Sequence, residues 1–359
     1  MRIVHTESSL GWGGQEIRIL SEAQGLIARG HDVRVLCPAE SRIYAEAPRR
    51  GVPAVALPIA RKRLRGLRAL LEWFRASRCD VVNTHSSTDS WLVALAMLAM
   101  GRPFPIVRTR HISAPVPTNR VTGWLYERAA RRVITTGESI RMQLVERNGY
   151  NPGRIESIPT GIDEERFRPG DRAGARRALG LPQDLVLVGI VATLRSWKGH
   201  RHLIDAIAAM PAPVGLAIVG DGPQREALEK QAVSLRGRVW LPGNQEDVLP
   251  WLHALDIFAL PSYANEGVPQ ALVQAMMCGL ACVTTRAGSI GELAEDGKTA
   301  VVVPAQDVDA LRAGIERLAA DPGLRSHLGA LAREFCVQRY SYKSMLDRME
   351  SVFRNVTAR

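Results

Sequence analysis

A two-domain α/β architecture, with a doubly wound parallel sheet in each domain, is indicated by three features of this 359-residue chain. Short apolar segments alternate with amphipathic helical segments from one end to the other. A stretch rich in Pro, Gly and charge, residues 159–176, interrupts this alternation. The length suits two domains of ordinary size. We therefore predict one domain over 1–165 and a second over 166–340, with the last helix, about 341–359, packing back on the first.

The individual elements follow from the apolar segments. In the first half, strands are predicted at 2–6, 31–37, 80–85, 105–111 and 131–137. A Gly-rich turn at 11–15 follows the first strand, and an amphipathic helix then runs to Gly30. In the second half, strands are predicted at 185–193, 214–220, 238–243, 256–261, 281–285 and 300–304. Two helical segments, 307–321 and 342–356, close the chain. Ligands of such sheets bind beyond the carboxyl ends of the strands.

Composition and charge narrow the class of protein. Hydrophobic content of 46% and charged content of 23% are globular values. The first residues lack a signal-peptide layout, and the longest apolar run, 91–100, is too short to cross a bilayer. These features predict a soluble, cytoplasmic protein. Five scattered cysteines predict buried free thiols rather than disulfides or a zinc site.

The net charge of +11 is concentrated in the first half of the chain. Residues 1–165 hold 24 Lys and Arg against 16 Asp and Glu, a net of +8. A basic half favours an anionic partner, such as a phosphorylated substrate or a membrane surface. Nucleic acid is not expected, because aromatic residues make up only 5% of the chain and offer few surfaces for base stacking.

The stretch 261–276, PSYANEGVPQALVQAM, is the most informative part of the sequence. A strand ends, a loop carries the carboxylate of Glu266, and Pro269 opens a helix. Proline suits a first helical turn, where its missing N–H would have no partner. A helix N-terminus attracts phosphate through its dipole and its N–H groups. An acid beside a phosphate site predicts a phosphorylated polyol ligand, such as a sugar nucleotide.

Four further motifs occur in the same chain: GWGGQE at 11–16, PTGID at 159–163, RSWKG at 195–199 and VGDGP at 219–223. Together with 261–276 they resemble the GT-B-fold glycosyltransferases of family 4, also called group 1 glycosyltransferases, over nearly the whole chain. The resemblance implies two Rossmann-like domains facing a central cleft. It also implies a retaining, metal-independent transferase with no cofactor, whose substrate is a UDP- or GDP-linked sugar.

Four residues are the candidates for catalysis. Two cations beyond an apolar strand, Arg195 and Lys198, can neutralise a departing diphosphate. The resemblance implies that they are the diphosphate-binding pair, although the family usually places its arginine where this chain has Thr193. It also implies that Glu266 contacts hydroxyls of the donor sugar. His111, at the end of the strand 105–111, is expected to hold that sugar rather than act as a base. His85, which ends the preceding strand, is the competing candidate.

The remaining candidates bind the donor. The residue eight after Glu266 is usually a second glutamate that meets the ribose, and here it is Gln274, which loses the charge-assisted hydrogen bond. Pro269 removes one backbone donor from the loop. The other donor-binding residues expected from the resemblance are Gly13 and Gly14, where glycine allows positive φ and close approach, Gly267, Val268 and Gln270 through their N–H groups, and Asn244 near the base.

The segment 61–75 is strongly basic. Leu64, Leu67, Leu71 and Phe74 fall on one helical face. Such a segment is either a crossover helix with a solvated basic face or a site of peripheral contact with anionic membrane. Asp307 and Asp309 are interpreted as helix-capping residues rather than metal ligands.

These features predict a retaining transfer of sugar to a glycan or lipid-linked acceptor, in bacterial lipopolysaccharide or cell-surface polysaccharide synthesis at the inner face of the plasma membrane. Two alternatives stay open. The first is a sugar-nucleotide 2-epimerase on the same fold. The second is a catalytically silent sugar-nucleotide-binding subunit.

Overall fold

The structure, a computed structural model, describes residues 1–112, 114–210, 214–235, 237–264 and 266–358. Asn265, within the motif at 261–276, and Arg359 lie outside these residues. The chain divides into a first unit, residues 1–161 and 343–359, and a second unit, residues 162–342. This division falls earlier than the predicted boundary at 165. Ile162 belongs to the second unit because its N–H donates to the carbonyl of Tyr340 at 2.9 Å.

The strands, numbered along the chain, are short and parallel. They are β1 Arg2–Thr6, β2 Asp32–Cys37, β3 Ala54–Ala56, β4 Val81–Thr84, β5 Ile106–Arg110, β6 Arg132–Thr135, β7 Ile155–Ser157, β8 Val186–Val191, β9 Val214–Val219, β10 Val239–Gly243, β11 Ile257–Leu260, β12 Ala281–Thr284 and β13 Val301–Val302.

The helices lie between and after the strands. They are α1 Gly14–Ala28, α2 Arg42–Glu46, α3 Leu64–Ala76, α4 Ser87–Ala99, α5 Arg120–Trp124, α6 Glu138–Met142, α7 Arg172–Leu179, α8 His200–Ala208, α9 Arg225–Ala232, α10 Leu249–Ala254, α11 Gln270–Met277, α12 Val308–Ala320, α13 Pro322–Tyr340 and α14 Tyr342–Thr357. Both α5 and α6 continue into one turn of wider, π-type helix, over Leu125–Ala129 and Gln143–Arg147.

The first unit is built on a seven-stranded parallel sheet in the order β3-β2-β1-β4-β5-β6-β7. All five predicted strands are present, each within two residues of its predicted ends. Two strands, β3 and β7, were not predicted, because three residues are too few to show a periodic pattern. The strand order reverses between β1 and β4, and such a switch point is where ligands of this sheet type bind.

The second unit repeats this plan with six parallel strands in the order β10-β9-β8-β11-β12-β13, so its switch point lies between β8 and β11. Its strands are nearly continuous apolar runs with both faces buried, as in β8 and β9. The two helical segments predicted at the end of the chain correspond to α12 and α14, and α13 lies between them. Asp307 caps α12 as predicted, because its carboxylate accepts from the N–H of Ala310 at 2.9 Å.

The basic segment 61–75 forms α3, but the predicted apolar face is only partly correct. Leu70 and Phe74 are buried, whereas the side chain of Leu64 is 72% exposed. Leu64 is the first residue of the helix, so its side chain has no preceding helical turn to lie over. Among the described residues, no helix is long and apolar enough to cross a membrane.

Candidate functional site

The loops at the switch point of the second unit gather most of the predicted site residues. One loop follows β8 and leads into α8, and it carries Arg195 and Lys198. The other follows β11, carries Glu266 and leads into α11. Because β8 and β11 are neighbouring parallel strands, both loops leave the same edge of the sheet.

A buried ion pair joins the two loops. The ammonium of Lys198 lies 2.7 and 3.0 Å from the two carboxylate oxygens of Glu266. The side chain of Glu266 is only 5% exposed and that of Lys198 is 19% exposed. Burying a lone carboxylate is costly, so each charge requires the other. Both oxygens of Glu266 accept from the ammonium of Lys198.

The backbone holds this pair in place. The N–H of Tyr263 donates to the carbonyl of Trp197 at 2.8 Å, which ties the two loops together. Gly199 has a φ of +78°, and a Cβ at that position would collide with the carbonyl of Pro261. Gly288 has a φ of +55°, and a Cβ there would collide with the carbonyl of Glu266. Both glycines are required by the close approach of neighbouring backbone.

Arg195 is exposed, whereas Lys198 is half-buried. Its guanidinium lies 5.7 Å from the ring centroid of Trp197, and no carboxylate of the described residues pairs with it. Thr193, where the family usually has its arginine, is also exposed and precedes Arg195 by two residues in the same loop. The loop after β8 therefore carries one exposed cation, Arg195, and one cation held in an ion pair, Lys198.

The helix α11 begins at Gln270, one residue later than predicted, because Pro269 has an extended ψ of 119°. Gln270 and Gln274 are one helical turn apart, so they lie on the same face, and both are half-buried. Gly267 is half-buried and Val268 is 7% exposed. Gly267, Val268 and Gln270 therefore follow Glu266 within four residues, and Gln274 lies one turn further along α11.

Asn244 is the outlying member of the predicted set. It is exposed and follows Gly243 at the carboxyl end of β10, two strands from β8. The carbonyl of Gly243 accepts from the N–H of Gly220 at 2.9 Å. Asn244 therefore lies along the same sheet edge, away from the switch point, and its predicted contact with a base stays a prediction.

In the first unit, Gly13 precedes α1 and Gly14 is its first residue. Neither residue uses the positive φ that glycine allows, because Gly13 is extended at a φ of −176° and Gly14 is helical. A Cβ on Gly13 would meet only ordinary contacts, the nearest at 3.8 Å. Their predicted contact with a diphosphate is not tested by this geometry.

A pair of buried carboxylates, Glu7 and Asp89, lies at the switch point of the first unit and was not predicted from the sequence. Glu7, fully buried, accepts from Ser86 Oγ at 2.5 Å, from the N–H of Ser9 at 2.7 Å and from the amide of Gln15. Asp89 accepts from Thr6 Oγ1 at 2.7 Å and from the N–H groups of His85 and Ser86. Burial and the neighbouring carboxylate raise the pKa of Glu7 to about 8, and burial raises the pKa of Asp89 to about 6.

Three histidines form a row across β1, β4 and β5. His5 Nδ1 lies 2.9 Å from His85 Nε2, and His85 Nδ1 lies 2.9 Å from His111 Nε2. Burial lowers the pKa of His5 to about 3, and it holds the pKa values of His85 and His111 well below 6.5. Nearby arginines, Arg18 above all, act in the same direction for His5 and His111. His85 and His111 were predicted as competitors, and the structure places them in one hydrogen-bonded group.

Two parallel, doubly wound sheets, each with polar side chains gathered at its switch point, define the class of GT-B-fold proteins. Solved structures support this class. Anabaena HepE in complex with UDP-glucose aligns with a TM-score of 0.88 at 22% identity, covering 99% of this chain and 100% of that chain. WaaG, a glycosyltransferase involved in lipopolysaccharide biosynthesis, aligns with a TM-score of 0.70 at 18% identity, covering 99% and 100%. At these identities the likeness shows the fold.

Sequence comparisons define the family. A profile described as Glycosyltransferase Family 4 matches residues 12–166, and one described as Glycosyl transferases group 1 matches residues 184–321. The D-inositol 3-phosphate glycosyltransferase of Saccharomonospora viridis is 29% identical over 304 residues, 80% of this chain and 67% of that protein. For the Mycobacterium ulcerans enzyme of the same name, the match is 29% over 275 residues and spans 57% of its length. The chain belongs to glycosyltransferase family 4.

Proposed function

We propose that this protein is a retaining glycosyltransferase that moves a sugar from a nucleoside-diphosphate sugar to a glycan or lipid-linked acceptor. The observation that carries the proposal is the Lys198–Glu266 pair at the switch point of the second unit, beside the N-terminus of α11. An ammonium has three N–H groups, and Glu266 accepts two of them, so one is left for a phosphate oxygen.

The chemistry requires no titratable base. The bond between the sugar C1 and the diphosphate oxygen breaks, and the acceptor oxygen bonds to C1 from the same face. The acceptor's proton passes to the departing phosphate oxygen. Negative charge grows on the diphosphate as the bond breaks, and the cations Lys198 and Arg195 stabilise it. In this scheme the carboxylate of Glu266 accepts hydrogen bonds from hydroxyl groups of the sugar, and Gln274 meets the ribose. The sugar contact expected of His111 stays a prediction.

The first experiment is a donor screen. Thermal shift with UDP- and GDP-linked sugars identifies the nucleotide, and release of nucleoside diphosphate then measures donor hydrolysis. Transfer is followed with two acceptors. Inositol 3-phosphate is used because similar proteins are D-inositol 3-phosphate glycosyltransferases, and a lipid-linked saccharide is used because the proposal includes such an acceptor. Proton NMR of the product reports the anomeric configuration, and inversion would overturn the retaining assignment.

The same assay separates the alternatives. A 2-epimerase would convert the sugar without an acceptor and would need more acid and base groups than Glu266, His111 and His85. A silent subunit would bind the nucleotide sugar but neither hydrolyse nor transfer it. Metal independence is tested by adding a chelator, which should leave the rate unchanged.

We also propose that the first unit contacts anionic membrane, which would place the enzyme at a lipid-linked acceptor in polysaccharide synthesis. Five basic residues just before α3 and in its first two turns are exposed, and no carboxylate of the described residues pairs with them: Arg61, Lys62, Arg63, Arg65 and Arg68. Leu64, among them, is 72% exposed, and α4, which packs on α3, exposes Leu95 and Leu98 at 41% and 51%.

Replacing these five basic residues with Gln should release the protein from anionic vesicles, since each contributes about 1 kcal/mol near such a surface. The matched control replaces five exposed basic residues of the second unit: Arg168, Arg177, Arg201, Lys230 and Lys298. Sedimentation at two salt concentrations is the measurement. Equal binding by both variants would mean that α3 simply has a solvated basic face.

A further inference from the structure

The three hydrogen-bonded histidines of the first unit, His5, His85 and His111, restrict which ring nitrogen of His111 carries its proton. His5 lies on β1, and His85 and His111 directly follow β4 and β5, which are neighbouring strands. Both inter-ring contacts join Nδ1 of one imidazole to Nε2 of the next at 2.9 Å. Successive ring centroids are 5.2 Å apart. Such distances are ordinary hydrogen bonds, so each contact needs one proton.

A neutral imidazole carries a single N–H, which restricts the row to two arrangements. If His85 is protonated on Nδ1, it donates to His111 and must accept from His5, so all three rings carry their protons on Nδ1. If His85 is protonated on Nε2, it donates to His5 and must accept from His111, so all three carry them on Nε2. The tautomers are therefore locked together along the row.

The two ends of the row decide between these arrangements. In the Nε2 arrangement the terminal N–H belongs to His5, which is fully buried, lies edge-to-face with Phe353, and has no partner for Nε2 among the described residues. In the Nδ1 arrangement the terminal N–H belongs to His111, which is half-buried and can meet solvent or a ligand. Orphaned buried N–H groups are rarer than unpaired acceptors, because an unmet donor loses its full hydration.

We infer that His5 and His85 are positioning residues that hold His111 in the Nδ1–H tautomer, so that His111 offers a hydrogen-bond donor to its ligand rather than a basic lone pair. A donor fits an acceptor atom such as a sugar hydroxyl oxygen or a phosphate oxygen. It cannot take a proton from an acceptor hydroxyl. The consequence for catalysis rests on the proposed function, whereas the tautomer itself does not.

The test is nitrogen NMR on the full chain with ¹⁵N-labelled histidine. The expected spectrum shows His5, His85 and His111 neutral with Nδ1 protonated, and couplings across both N–H···N bonds. Substituting each histidine in turn assigns the eight histidines of the chain. His200 is the internal control, because it is equally buried but belongs to the second unit. An Nε2-protonated His111 in the wild type would overturn the inference without any variant being needed.

His85→Phe provides the second arm. Removing the donor to Nε2 of His111 leaves that ring free to protonate at either nitrogen, so His111 should become a mixture of both tautomers while the His200 signals stay unchanged. If the two tautomers are equally populated, the fraction of molecules with His111 protonated on Nδ1 falls about twofold. Turnover of donor hydrolysis should fall in the same proportion. A wild-type tautomer distribution of His111 in a folded His85→Phe would show that the row does not set it, whereas absent hydrolysis in the wild type would count against the proposed function alone.

Discussion

The carboxyl edges of the two sheets use polar residues in opposite ways. In the second unit, the edge holds one ion pair, Lys198 with Glu266, and the exposed cation Arg195. In the first unit, Glu7 and the three histidines hydrogen-bond to groups of the same unit, and burial keeps their pKa values on the neutral side. The second edge therefore presents charge, and the first edge presents a prearranged set of neutral donors and acceptors.

This difference matches what the two edges would have to do. A diphosphate requires cations that can share hydrogen bonds between a protein carboxylate and a phosphate oxygen. Lys198, partly exposed and paired with Glu266, can do this. A sugar and an acceptor require directed hydrogen bonds more than charge, and the histidine row supplies direction because each proton position is fixed by the next. The following three predictions test the comparison.

The largest effect is expected at the charged edge. Lys198→Ala should lower turnover roughly 10²–10³-fold, because it removes a stabiliser of the departing diphosphate and leaves Glu266 buried without a partner. Arg195→Ala should lower it as well. Thermal unfolding separates loss of folding from loss of catalysis. The control is Arg201→Ala, since Arg201 is an exposed arginine on α8. Full turnover in the double variant of Lys198 and Arg195 would show that this edge does not stabilise the departing diphosphate.

The next effect concerns the neutral edge and pH. The folded pKa of Glu7, about 8, lies above its usual 4.5, so the folded state retains a proton that the unfolded state has lost between these values. The stability contributed by this protonated group is complete below about pH 4.5 and is lost as pH rises to about 8. For one such group, the free energy of unfolding changes by at most about 1.4 kcal/mol per pH unit. Glu7→Gln cannot ionise and should lose this dependence.

The measurement is the free energy of unfolding in urea, from pH 5 to pH 8, for Glu7→Gln and for the wild type. The difference between the two values at each pH is the result. The histidines act in the other direction, because a lowered folded pKa makes stability fall as pH drops below 6.5. Subtracting the two pH curves cancels their contribution. Glu40→Gln, at an exposed carboxylate, is the control and should run parallel to the wild type. Parallel curves for Glu7→Gln as well would mean that Glu7 is ionised in the folded protein.

The smallest effect is expected at Gln274. If its amide meets the ribose, Gln274→Ala should weaken binding of the bare nucleoside diphosphate by roughly 1–2 kcal/mol, the contribution of one hydrogen bond. Glu266→Ala should instead impair transfer more than nucleotide binding. Calorimetry with the nucleoside diphosphate distinguishes them, with the exposed Gln338→Ala as the control. Equal loss of affinity in both variants would mean that the two roles are misassigned.

Local sequence was sufficient for the architecture. Runs such as 185–193 and 214–220 are apolar throughout, and burial on both faces of a parallel strand demands that composition. The turn chemistry of Pro269 and the cap at Asp307 act within one helical turn, so the helix starts could be predicted to within about a residue. The family motifs placed Lys198 and Glu266 in loops after strands. Only the three-residue strands β3 and β7 were too short to leave a pattern.

The pairings were decided by the tertiary structure alone. Lys198 and Glu266 are 68 residues apart, and His5 and His85 are 80 apart. No local pattern encodes such contacts, because strand order brings them together. The sequence by itself determined which segments become strands and which residues can carry charge. Only the packed sheets decided which charges are paired and which titratable groups are buried, because hydrogen-bond geometry and desolvation depend on neighbours that are distant in the chain.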